Sequence, residues 1–226
     1  MKSRILRNLY RFAATVLLVC FATAGRADPA GQLPKIWFAM GAISSSPGHH
    51  SWELLLYQPD PIWPPYMEHV TVVGILTQAL LKIPDAELTK VAARLKQKHM
   101  ALGIEMLAQA DNDPTGCGGG VEGYYAPFMV AALAAKLKRT GAELSYIAMD
   151  EPLWFGHYYK EKNACRSLID IVAERVAKNL HEYLKVFPNA VIGDIEPFPS
   201  ITDQPSWQED FRHWIEAFHA KTSGLF

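Results

Sequence analysis

The sequence predicts an α/β fold, a parallel (β/α) barrel of TIM type carried through about five β/α units. Three observations predict it. Five apolar runs alternate with amphipathic stretches. Acids recur at the carboxyl ends of these runs, where parallel α/β folds bind their ligands. The first run is followed by Gly41-Ala-Ile-Ser-Ser-Ser-Pro47-Gly-His-His50, not by the glycine-rich phosphate loop of a doubly wound sheet. An open sheet stays as the alternative. A full barrel takes roughly 250 residues, and five units use up most of the 226 residues here.

The strands are expected at Lys35–Met40, Val70–Leu76, Leu102–Leu107, Leu144–Met149 and Ala190–Ile195. They are continuous apolar runs, as befits parallel strands covered on both faces. The first crossover is the weakest. A short helix over Trp52–Leu56 is broken off by Asp60-Pro-Ile-Trp-Pro-Pro65. The second helix opens at Pro84-Asp85 with the stripe Leu88, Val91, Ala92 and Leu95. The third starts near Pro127 and ends before Gly141, proline early and glycine just past the end. The fourth carries Leu168, Ile171, Val172, Val176, Leu180, Tyr183 and Leu184, and stops at Phe187-Pro188. The last follows Asp203 and Pro205, with Trp207, Phe211, Trp214, Ile215 and Phe218.

The amino terminus reads as a secretory signal. Lys2, Arg4, Arg7 and Arg11 precede the apolar Phe12–Ala24, and small residues follow. Cleavage after Ala27 leaves residues 28–226 as a single domain. That reading makes the protein periplasmic or secreted, with no membrane span after signal removal. An uncleaved anchor is the alternative. The formal net charge of −1 gives no basic surplus for nucleic acid. Once Cys20 has gone with the signal, Cys117 and Cys165 remain. An even count in an exported chain favours a disulfide between them over two free thiols. Gly116-Cys-Gly-Gly-Gly120 lacks the Gly-Lys-Ser/Thr ending of a nucleotide loop and reads as a flexible segment that lets Cys117 reach Cys165.

The acids carry the functional reading. Glu105 lies in the third strand, Asp150 and Glu151 end the fourth, and Asp194 and Glu196 end the fifth. A carboxylate inside an apolar run must be paired, hydrogen-bonded or functional. Side chains alternate along a strand, so Asp150 and Glu151 point opposite ways. Glu151 and Glu196 each precede a proline, which biases the glutamate towards extended backbone and stops the strand there.

Glu-Pro at the end of the fourth strand resembles the acid/base motif of retaining glycoside hydrolases with a (β/α)₈ barrel. The chain is also similar to exported bacterial proteins of glycosidase-like barrel type. In the glycosidases an Asn commonly stands before that glutamate; here it is Asp150. The resemblance implies a carbohydrate substrate or ligand, with Glu151 as the general acid. Asp150 and Trp154 would raise its pKa, and Glu196 would be its partner. Among the rings in the expected strand-to-helix loops (Trp52, Trp63, Tyr124, Tyr125, Trp154, Tyr158 and Tyr159), Trp154, Tyr159 and Tyr125 join His157 and Glu105 as the substrate-binding set. The same rings would also serve to roof the core.

No cofactor is called for. Glu105, Asp150, His157 and Glu196 offer a weaker metal-dependent, sugar-isomerase-like alternative, without a compact ligand motif. A non-catalytic carbohydrate-binding or assembly protein is another. Unpaired edges of a partial barrel would further allow self-association.

Overall fold

The computed structural model describes residues 35–40, 68–110 and 115–223. The expected signal segment, the His49-His50 loop, the first crossover helix and the rings Trp52 and Trp63 lie outside the described residues.

In chain order the elements are β1 (Ile36–Met40), β2 (Val70–Leu76), α1 (Thr77–Lys82), α2 (Asp85–Gln97), β3 (Ala101–Leu107), β4 (Gln109–Ala110), β5 (Tyr124–Tyr125), α3 (Pro127–Arg139), β6 (Leu144–Asp150), α4 (Ile169–Leu184), β7 (Val191–Ile195) and α5 (Trp207–Thr222). β1, β2, β3, β6 and β7 form one sheet in that spatial order, and every pairing in it is parallel. Within this sheet the spatial order of the strands is thus their order along the chain. A doubly wound sheet reverses its strand order part-way, and this one does not. The architecture is a half-barrel of TIM type. β4 and β5 pair separately, Gln109 opposite Tyr124 and Ala110 opposite Tyr125.

Period-2 alternation decides what each strand buries. Val73, Ile75, Ile104, Met106, Ile147 and Met149 are all buried, and they join one core with Leu88, Val91, Leu133, Leu137, Val172, Val176 and Leu180 of the helices. The opposite face of the sheet is not covered in the same way. Trp37 is 41% exposed there, Val191 58% and Ile195 47%. So the runs that read as strands covered on both faces are covered mainly on one.

The helices follow their expected stripes, with one correction. The sequence pattern puts Leu168 and Ile171 on the apolar stripe of α4, but they are 74% and 41% exposed. Leu168 stands just before the first turn. The buried stripe is Val172, Val176, Leu180 and Tyr183, spaced four, four and three as a helix requires. α1 is an element that the sequence reading does not contain. It continues straight from β2 and no side chain caps its start, so the usual start signals are missing from the sequence.

Candidate active site at the carboxyl ends of the strands

The open face of the sheet fixes the first two acids. Gly103 pairs with Tyr146, Glu105 with Ala148, and Leu107 with Asp150. Trp37 meets Tyr146 edge to face with ring centroids 5.1 Å apart, and its ring also lies against Gly103. Trp37, Gly103 and Tyr146 therefore share one face. Two steps on from Gly103 comes Glu105, and four on from Tyr146 comes Asp150, so both acids stand on that face too. They are diagonal neighbours on adjacent parallel strands. Both are half-buried.

Glu151 leaves the strand by a sharp turn. Its φ is +47°, in the left-handed region that non-glycine residues seldom occupy, not the extended backbone expected before Pro152. Its N–H donates to the Ile195 carbonyl at 2.8 Å. A wide helical turn over Trp154–Tyr158 follows. Glu196 turns back onto the start of this turn. Its carboxylate accepts the Leu153 N–H at 2.7 Å and the Trp154 N–H at 3.0 Å. These are amides that a helix start leaves without an intrahelical partner. Glu196 is thus committed to the turn beside Glu151, not held free across the mouth from it. Asp194, on the exposed last strand, accepts the indole N–H of buried Trp214 at 2.7 Å.

Burial and acidic neighbours raise three carboxyls here. Burial first, then the Glu105, Glu151 and Glu122 carboxylates, push Asp150 up to about 7. Glu105 is raised by burial and then by Glu122. Glu151 is raised by burial, then by Glu122 and Glu105. Every charged neighbour named in these shifts is itself an acid. Burial and the Asp194 charge push Glu196 up to about 8, against the two backbone donors that favour its anion.

Glu122 is a member of the site that the sequence does not single out. It sits in the loop before β5, next to Gly123, whose carbonyl accepts the Gln109 N–H at 2.8 Å. That bond brings the loop to the carboxyl end of β3. A sequence signal is present only in the flanking glycines, since Gly120 and Gly123 both take positive φ.

No protein-family model matches this sequence, and no curated protein sequence matches it. Among solved structures, the chain is similar to a crystal structure of D-psicose 3-epimerase in the presence of D-fructose. The identity is 13% and the TM-score 0.35, over 57% of this chain and 44% of the other. The chain thus spans less than half of that protein's length.

The rings expected to face a ligand are mostly engaged in packing. Tyr124 and Phe155 form a small second core with Val121, and Trp154, Tyr159 and Cys165 pack against it. Tyr158 is buried and donates its hydroxyl to Asp210. His157 is bonded through Nδ1 to the Ser167 carbonyl at 2.8 Å and lies edge-on to Tyr158. Tyr125 packs half-buried on the main core, and burial raises its hydroxyl pKa. The exposed rings of the open face are Trp37 and, half-buried, Tyr146. Both lie inside strands, where the sequence pattern presents them as core.

Among the described residues, no group of three or more His, Cys, Asp or Glu side chains could hold a metal ion. No helix there is long and apolar enough to cross a membrane. Cys117 and Cys165 form a disulfide with their Cα atoms 4.9 Å apart. Beside it the Gly118 N–H donates to the Asn163 carbonyl at 2.8 Å, and the Asn163 amide donates to the Gly119 carbonyl at 2.7 Å. These links tie the loop that leads to Glu122 to the loop ahead of α4.

Proposed function

We propose that this is an exported carbohydrate-active protein whose mouth carries acid/base chemistry of the glycoside-hydrolase kind. Asp150 is the proton donor in this reading. The observation that carries it is the placement of half-buried Asp150 diagonally across from Glu105 on the open face, at the ligand-binding end of the sheet, where its pKa is pushed up to about 7. A carboxyl group with that pKa keeps a proton near neutrality and can deliver it to a leaving oxygen. Glu105, its diagonal neighbour, is the second carboxyl.

Glu151 and Glu122 hold the local charge negative, which keeps the Asp150 proton in place. The acid role that the Glu-Pro motif implies for Glu151 passes to Asp150, because Asp150 shares the open face with Glu105 and the rings. Trp37 and Tyr146 support a sugar ligand. Exposed aromatic faces take the apolar C–H faces of sugar rings, while carboxylates bind their hydroxyls. The disulfide supports an oxidising, extracytoplasmic location.

The test is hydrolysis of a panel of aryl glycosides and natural oligosaccharides, with calorimetric binding alongside. Asp150→Asn should abolish turnover on natural leaving groups and leave binding within a few-fold. An activated aryl leaving group should be partly rescued, since it needs little protonation. Binding without any turnover would favour the non-catalytic carbohydrate-binding alternative.

A further inference from the structure

We propose that Glu196 and Gln109 are positioning residues, a two-sided clasp that holds Glu151 in its left-handed backbone conformation and so aims the Asp150–Glu151 pair at the mouth. The inference takes its functional mouth from the reading above. The clasp itself stands on hydrogen bonds.

The turn after β6 is gripped from two strands. From β7, the Ile195 carbonyl accepts the Glu151 N–H at 2.8 Å. One residue further, the Glu196 carboxylate takes the Leu153 and Trp154 N–H groups at 2.7 and 3.0 Å. From the β3 side, the fully buried Gln109 donates its side-chain amide to the Pro152 carbonyl at 2.7 Å. Gln109 packs directly against Gly156. Its Nε2 would lie 2.4 Å from a Cβ at Gly156, on the far side of the same turn. Its own N–H is tied to the Gly123 carbonyl, one residue from Glu122. Four consecutive residues, Glu151 to Trp154, are thus each bonded to a neighbouring segment.

A glutamate at φ +47° does not stay there on local preference. Such outliers persist where surrounding contacts over-determine them. An ordinary helix cap would need only the two amides. The Pro152 and Glu151 contacts go beyond capping and converge on the strained residue. Proline at 152 biases the residue before it towards extended backbone, so the contacts hold Glu151 at positive φ against that preference as well.

A double-mutant cycle separates a clasp from a plain cap. Glycine takes positive φ without strain, so Glu151→Gly removes what the clasp must hold. Glu196→Ala should lower the thermal midpoint in the wild type and by clearly more in the Glu151→Gly background, because in the wild type part of the lost clasp energy is recovered when the strain at Glu151 is released. An equal loss in both backgrounds would overturn the proposal, since a cap is indifferent to residue 151. Should Glu196→Ala not fold, Glu196→Gln and Gln109→Ala carry the same cycle. The second readout is the intraresidue N–H to Hα cross-peak of Glu151, which is strong only at positive φ. It should be strong in the wild type and weaken in either clasp variant. A peak unchanged in both variants would also overturn the proposal. Neither readout uses turnover, so a failed hydrolase reading leaves the outcome of the cycle intact, and a failed cycle leaves the hydrolase assay to stand alone.

Discussion

The indole of Trp37 lies so close over Gly103 that a Cβ on that glycine would sit 2.7 Å from the ring carbon Cζ3. The glycine is the floor on which the ring rests. Gly103→Ala should therefore push the ring off the sheet and cost about 1–3 kcal/mol, the usual scale of overpacking. It should also weaken sugar binding together with Trp37→Ala. Chemical denaturation and calorimetry check both. Wild-type stability and affinity in Gly103→Ala would mean that the ring is not held there.

Stability should rise as the pH falls through the neutral range. Asp150 is raised to about 7 from 3.8, so the folded protein keeps a proton that the unfolded chain gives up above about 4. The sign follows directly. Its contribution is full below the unfolded value and is lost as pH climbs to the folded one. Glu196, raised to about 8, acts in the same direction. The thermal midpoint should be higher at pH 5 than at pH 8, and Asp150→Asn should flatten that slope. An unchanged slope in the variant would place the titration elsewhere.

Much of the fold is legible in the sequence because parallel strands leave long apolar runs. The run Val70–Leu76 matches its strand to the residue, and Leu144–Met149 falls one residue short of its own. The helices are legible from stripes such as Val172, Val176 and Leu180. The site is harder to read. Glu105 and Asp150 stand out because acids do not belong in apolar runs without a reason. Trp154, Tyr158 and Tyr159 look like ligand platforms only because their packing partners, Asp210 and the second small core, come from distant segments. Trp37 and Tyr146 look like core because nothing in a strand pattern says which face will be left open. The capping by Glu196 depends on two backbone amides some forty residues away in sequence, at Leu153 and Trp154, which no local pattern encodes.

Removing the disulfide should cost stability out of proportion to its local contacts. Cys117 and Cys165 lie 48 residues apart, and the chain-entropy model gives about 4 kcal/mol for a loop of that size. Paired Cys117→Ser and Cys165→Ser substitutions should lower the denaturation midpoint accordingly. Thiol counting in denaturant without reductant should find neither cysteine free in exported material.

Among the described residues, β1 and β7 are the two edges of the sheet. Exposed strand edges pair with other chains unless charge or cover prevents it. The protein should associate in a concentration-dependent way by sedimentation. Val191→Lys, placed at a residue 58% exposed on β7, should shift it towards monomer. A sharp monomer at high concentration would show that both edges are protected.

The most direct test is a carbon-13 NMR titration of the Asp150 carboxyl, assigned by comparison with Asp150→Asn. A midpoint near 7, moving down in Glu105→Gln and in Glu122→Gln, is the result expected of a proton-bearing acid in a four-carboxyl mouth. A midpoint near the ordinary 3.8 of an aspartate, unmoved by either variant, would contradict it.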